Sequence, residues 1–258
     1  SSASATLPPK HRKPSLNFWL GIFLTALMGV SLGLLGGGGS ILAVPILVYV
    51  LGVEEHAAIA ISLVLVGLTA WAAALQHHRS GMVDWKGGFL FAACGAPVSL
   101  LGAYFSNRLP GAWLMLLFGA LMLVAGAAMY RRRMGDSVEK GKRNLLVLTA
   151  CGASVGFLTG FLGVGGGFLI VPALVLFLGE PMKSAIGTSL FVIGANCAIA
   201  LWGHRSALHM NWTLLLPLGG AALAGTFAGV AASHRFNAGQ LRKAFAVFIV
   251  LLGAWMVA

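Results

Sequence analysis

Ten apolar stretches run along the chain, at approximately 17–36, 40–52, 57–76, 86–106, 111–130, 144–163, 167–179, 184–203, 212–233 and 241–257. Short polar or glycine-rich gaps separate them, and no stretch carries Asp, Glu, Lys or Arg in its interior. Eight are close to the roughly 20 residues that a helix needs to cross a bilayer. The second and seventh, at 13 residues each, are too short to cross alone as α-helix. No strand-length alternation is present, and open sheet edges are excluded from lipid because their backbone groups would go unpaired. The pattern therefore predicts an all-α polytopic membrane protein.

Composition agrees with that reading. Of the 258 residues, 59% are hydrophobic and only 9% charged, against about a quarter charged in soluble domains. The 36 glycines suit close helix–helix approach in a membrane. A net charge of +11 does not read as a nucleic-acid surface, because the basic residues cluster at the ends of apolar segments, as topology signals do. Cys94, Cys151 and Cys197 lie inside apolar stretches without metal or disulfide spacing, so they read as small packing residues. Residues 1–16 read as a disordered cytoplasmic tail rather than a cleaved signal.

Sliding the chain against itself by 127 residues aligns 36–129 with 163–256 without a gap, and 26 of the 94 pairs are identical. The matches include Gly38/Gly165, Pro45/Pro172, Ser62/Ser189, His77/His204, Trp85/Trp212 and Arg108/Arg235, which apolar composition alone would not bring into register. The sequence is therefore read as two tandem membrane units, 17–130 and 144–258, joined by a basic cytoplasmic loop at 131–143. Tail and loop hold the richest Lys/Arg clusters, and the positive-inside bias puts both in the cytoplasm. An even number of crossings then separates them. Each unit is expected to have four transmembrane helices plus one short, glycine-broken re-entrant or half-membrane segment, with the two units parallel. Under that topology Arg235, Arg242 and Lys243 fall in an external loop, which conflicts with the same rule.

The glycine clusters at Gly36–Gly39 and Gly163–Gly167 each end one apolar segment and open the short one, which then carries Pro45 or Pro172. Consecutive glycines unwind a helix, and unwound backbone at membrane depth survives where it is buried in protein or lines a wet cavity. A short helix starting there aims free N–H groups and its positive end at that cavity. Gly37, Gly38, Gly39, Ser40, Gly165, Gly166 and Gly167 are accordingly candidate substrate-binding residues. A flexible turn or tight packing is the bland alternative. Ser62 with Thr69, and Ser189 with Asn196, share one helix face at seven-residue spacing, and Thr188 precedes Ser189. Such faces either bond a neighbouring helix or touch substrate. His77 and His204 end matching segments and are candidates for a gating or proton-linked role, since histidine titrates near neutral pH. Arg108 and Arg235 are candidate funnel residues on the opposite face. No catalytic set, metal-ligand spacing or cofactor motif is present, and Gly163–Gly167 lacks the Lys-Ser/Thr of a nucleotide loop.

The stretches Gly-Gly-Gly-Gly-Ser-Ile-Leu-Ala-Val-Pro and Gly-Val-Gly-Gly-Gly-Phe-Leu-Ile-Val-Pro, each followed by a Ser-Leu helix, resemble the sulfite exporter TauE/SafE family across about residues 17–257. The resemblance implies a permease of the inner membrane that moves small sulfur-containing anions such as sulfite, sulfoacetate or other organosulfonates, usually outward. The residues agree on sign: no carboxylate lies at depth for a cation, whereas amide, hydroxyl and backbone N–H donors suit an oxyanion. The expected partners are the bilayer, a small anion and protons as a coupling ion, with a homodimer one option for assembly. An anion channel and a non-transporting scaffold are the alternatives.

Overall fold

The computed structural model describes residues 16–106, 111–131, 145–162, 167–203 and 212–257, all helix and short connections. The elements are α1 (Leu16–Leu35), α2 (Gly37–Val50), α3 (Glu55–Arg79), α4 (Trp85–Ser106) and α5 (Gly111–Arg131), then α6 (Leu145–Leu162), α7 (Gly167–Leu176), α8 (Met182–Gly203), α9 (Trp212–Arg235) and α10 (Ala238–Val257). Helices α1, α8 and α9, with Ala57–Arg79 of α3, are long and apolar enough to cross a membrane. Large apolar side chains such as Trp19, Phe23, Phe89, Leu100, Leu146 and Leu216 point outward. That exposure is costly in water and unremarkable against hydrocarbon.

Local chemistry sets the short elements. Gly36 adopts φ +77°, a conformation that only glycine takes cheaply. Its N–H still completes an α-helical bond to the Leu32 carbonyl at 2.8 Å, so α1 ends at this residue. The backbone resumes as a 3₁₀ turn over Gly37–Leu42, passes one α turn at Ala43–Pro45 and widens to a π turn over Ile46–Val50. Pro45 supplies no N–H to the ladder, consistent with the irregular winding around it. Gly52, at φ +65°, then turns the chain into α3.

Glycine seams fix the helix directions. A Cβ on Gly29 or Gly33 of α1 would strike the backbone at Ala222–Val230 of α9, and one on Gly225 or Gly229 would strike Ala26–Leu34. These two helices are parallel at backbone contact. The same holds for α4 and α6, where Gly95 faces Gly152 and Gly156, and Gly102 faces Phe157 and Phe161. By contrast α3 and α8 are antiparallel: Gly67 meets Cys197, Gly194 meets Trp71 and Gly187 meets His77. Helices α5 and α10 are antiparallel too, with Gly126 against Val250 and Gly253 against Met122.

These directions correct the expected topology. Helices α3 and α8 match under the 127-residue shift, as do α5 and α10, yet each pair runs antiparallel, so the two units are opposed rather than parallel. One cause is α2. Gly39 packs on Met28 and Leu32 while Leu51 packs on Gly21, so the segment retraces most of α1 and adds a pass. Helix α7 starts at Gly167, beside Ile193 near the middle of α8. But α6 and α8 both start at the same end of the bundle, so the chain between them also returns across and does not leave the crossing count unchanged as expected. The start of α1 and the end of α5 consequently lie at opposite ends of the bundle, not on one face. The ends of α3, α5 and α9 share one face with the starts of α4, α6, α8 and α10. Arg79, Lys86, Arg131, Lys183, Arg235, Arg242 and Lys243 belong to it, and it is called the basic end below.

Candidate functional site

The two helix breaks meet inside the bundle. A Cβ on Gly37 would land on the Gly167 carbonyl, and one on Gly167 would lie 2.8 Å from Ile193 Cδ1 and 3.0 Å from Ser40 Oγ. Gly36 approaches Ser189 Oγ at 2.8 Å by the same measure. Gly38 lies under Phe248, and Gly39 against Leu32 and the Met28 carbonyl. The start of α7, with its free N–H groups and positive end, therefore abuts the unwound start of α2. Ser40 donates to the Gly37 carbonyl at 2.7 Å, which closes the 3₁₀ turn. Gly165 and Gly166 lie outside the described residues.

The hydroxyl faces are satisfied within their own helices. Ser62 donates to the Ile59 carbonyl at 2.7 Å, Ser189 to that of Ile186 at 2.8 Å, and Thr69 to those of Leu65 at 2.7 Å and Val66 at 3.1 Å. Only Ser189 of these touches the crossing. Thr188 faces the other way: its Oγ1 accepts the Asp84 N–H at 3.1 Å, tying the α3–α4 connection to α8. Asn196 lines a cavity of about 590 Å³ bounded by α3, α4, α6, α7 and α8. That cavity is largely apolar, with Ser99, Thr159 and Asn196 as its polar side chains and Ile170 and Val192 at the wall nearest the crossing. Its lining runs from Phe91 and Gly152, before the middles of α4 and α6, to Leu100, Gly160 and Ala200 in the halves that lead away from the basic end. Ser99 and Thr159 donate to the Ala96 and Gly156 carbonyls, at 2.7 and 2.8 Å.

His77 is 1% exposed, and the Gly33 backbone is its nearest hydrogen-bonding group, short of full hydrogen-bond geometry. It packs beside Gly187 of α8 and the Gly33 backbone of α1. Its ring faces that of His234, on α9, at 5.8 Å. Lys183 of α8 reaches the His234 carbonyl at 3.5 Å. Arg235 follows His234, so it stands at the same end as His77 and not on the opposite face. His204 and Arg108 lie outside the described residues. Sequence reading missed His234, Lys183 and the cavity residues Ser99 and Thr159, because their grouping depends on helix direction. Among the described residues no three His, Cys, Asp or Glu side chains come together to hold a metal.

The chain matches the family model described as "Sulfite exporter TauE/SafE" over residues 21–256. A probable membrane transporter protein of Xylella fastidiosa is 36% identical over 240 residues, covering 90% of this chain and 91% of the relative. The probable membrane transporter protein YunE of Bacillus subtilis is 26% identical, covering 94% and 98%, and a probable membrane transporter protein of Haemophilus influenzae is 26% identical, covering 90% and 94%. No solved structure matches. With the match running through both glycine breaks and nearly the whole helical bundle, the chain belongs to the sulfite exporter TauE/SafE family, a family of membrane transporters and not of enzymes.

Proposed function

We propose that the protein is a secondary transporter that carries a small sulfur-containing oxyanion, such as sulfite, sulfoacetate or another organosulfonate, out across the cytoplasmic membrane. The observation that carries this reading is the meeting of the two broken segments at Gly37 and Gly167, beside the cavity that holds Asn196. Paired helix breaks offer N–H groups and positive helix ends to an anion without a buried countercharge. Among the described residues, the cavity lining contains no acidic and no basic side chain, and its polar side chains are the Asn196 amide and the Ser99 and Thr159 hydroxyls. A cation would find no carboxylate among these groups, while an S–O acceptor would find the Asn196 amide and the backbone N–H groups at the start of α7. The Ser99 and Thr159 protons are held by the Ala96 and Gly156 carbonyls. The family description names sulfite export, which supports both the substrate class and the direction.

Two units of opposite orientation fit an alternating-access carrier, in which matched halves exchange roles. The cavity extends toward the half away from the basic end, while His77 is buried toward the other. Twelve of the 17 Lys and Arg residues belong to the basic end or to connections between helix ends that lie there, so the positive-inside bias sets that end in the cytoplasm. This assignment removes the conflict over Arg235, Arg242 and Lys243. The decisive experiment is flux in proteoliposomes with labelled sulfite, sulfate and an organosulfonate, with and without a pH gradient. Saturable flux of at least one anion is expected. The absence of both flux and binding for all three refutes the transporter reading.

A further inference from the structure

We propose that the cavity at Asn196 takes an organic anion with one singly charged head and an apolar body of several carbons, the build of an alkanesulfonate, in preference to sulfite or sulfate. The proposal rests on the transporter reading above and narrows its substrate. A volume of about 590 Å³ lies within the roughly 300–1,000 Å³ of sites that enclose an organic ligand, and a bare oxyanion would leave most of it unfilled. Among the described residues, Asn196, Ser99 and Thr159 are the polar side chains of the lining. Both hydroxyl protons go to carbonyls of their own helices, so the Asn196 amide is the side-chain N–H donor left for a ligand. One amide suits a small head with a single charge. Sulfate brings two charges, and the cost of taking an ion out of water climbs with the square of its charge. No Lys, Arg or His among the described lining residues offsets that cost.

The apolar lining sorts by depth. Gly67 of α3 faces Cys197 of the antiparallel α8, and Gly88 of α4 faces Phe191 of α8. With these registers, Ile59 and Leu63 of α3, Leu100 of α4 and Ile199 of α8 all lie beyond Asn196, away from the glycine crossing. Toward the crossing the wall is closed by Val192 and Ile170. Asn196 thus stands at the inner part of the cavity, with an apolar sleeve leading outward from it. Leu63 is half-buried, and Ile59, Leu100 and Ile199 are exposed, so the sleeve has free surface to cover. An anion bound head-in sets its charge at Asn196 and its hydrocarbon along the sleeve, where each buried methylene adds affinity. Sulfite gains nothing from that surface.

The test uses the full chain in proteoliposomes and measures saturable uptake of labelled methane-, butane- and hexanesulfonate beside sulfite and sulfate, with protein-free vesicles subtracted. Sulfonates stay ionised at every working pH, which keeps passive leak small. The half-saturating concentration should fall about fourfold for each methylene from methane- to butanesulfonate, about sixtyfold in all, and sulfite and sulfate should rank below butanesulfonate. Leu63→Trp puts a larger side chain into the sleeve and should remove most of that gain, whereas Asn196→Leu should weaken all three sulfonates by a common factor. Half-saturation that is indifferent to chain length overturns the proposal. So does a gain that survives intact in Leu63→Trp, because it then reflects partition into lipid. Flux of sulfite or sulfate without a chain-length gain removes this inference and leaves the transporter. Equilibrium binding of hexanesulfonate to the chain in nanodiscs, against empty nanodiscs, separates the remaining cases. Length-dependent binding without flux of any anion removes the transporter and leaves the site, and neither flux nor binding removes both.

Discussion

Replacing Gly37 by alanine places a methyl group on the carbonyl of Gly167, with the Phe168 nitrogen 2.7 Å away. Both struck atoms are backbone, so no side chain can rotate to make room. The two broken segments must separate by more than about an ångström to restore ordinary contact. Overpacking of a tight interior costs about 1–3 kcal/mol, and a rigid backbone partner puts Gly37→Ala toward the upper end. At about 2–4 °C per kcal/mol for a chain of this size, thermal unfolding in detergent should come several degrees earlier. Two controls isolate the cause. Gly52 has φ +65° with nothing within 4 Å of a Cβ, so Gly52→Ala reports backbone strain alone, about 1 kcal/mol. Gly220, on α9, also has open space and ordinary helical backbone, so Gly220→Ala should be neutral or slightly stabilising. Transport in proteoliposomes supplies the second readout, and Gly37→Ala should lose far more flux than Gly52→Ala. Wild-type unfolding temperature and flux in Gly37→Ala would refute the crossing of the two breaks.

Three further outcomes follow from the same geometry. Asn196→Ala should raise the half-saturating anion concentration about tenfold in flux assays, the cost of one lost hydrogen bond to a charged group, with no large change in unfolding temperature; unchanged kinetics would remove Asn196 from the site. Thr188→Val deletes the acceptor of the Asp84 N–H and should cost about 1 kcal/mol in thermal unfolding, whereas Thr188→Ser should recover most of it. Ser80→Cys and Asn237→Cys should react with a membrane-impermeant maleimide from the same side, because the ends of α3 and α9 share a face; labelling from opposite sides would overturn the helix directions.

The helices and their breaks were legible in the sequence because the signals are local. A 20-residue apolar run ends where Gly36 takes a conformation open only to glycine, and Pro45 marks the irregular winding that follows. Helix direction was not legible, because hydropathy measures length and is blind to orientation. The 13-residue stretch beginning at Ser40 is short when counted at about 1.5 Å per residue, but its 3₁₀ start rises about 2.0 Å per residue and Gly37–Gly39 extend it further. Each extra pass reverses the parity of everything after it. The pass of α2 carries the end of α5 to the face opposite the start of α1, and the pass between α6 and α8 moves Arg235, Arg242 and Lys243 to the end that holds Arg79.

That parity also decides which residues act together. Under parallel units, His77 and His204 would stand at one face, and Arg108 with Arg235 at the other. With the units opposed, and with His204 and Arg108 outside the described residues, the ring facing His77 comes from elsewhere in the chain. It is His234, 157 positions away and without a histidine counterpart in the first unit, where Asn107 occupies the matching position. If the two copies form the two mouths of the proposed carrier, the positions at which they differ are where the mouths can act differently. Ser40 against Gly167, Thr69 against Asn196 and Asn107 against His234 are three such differences; the first falls at the crossing and the second in α3 and α8, and His234 of the third stands near the end of α9. A carrier that worked equally in both directions would have little use for them. Exchanging the members of a pair, as in Thr69→Asn with Asn196→Thr, should therefore alter the ratio of inward to outward half-saturation measured from the two sides of oriented vesicles, and an unchanged ratio would mean that the asymmetry lies outside these positions.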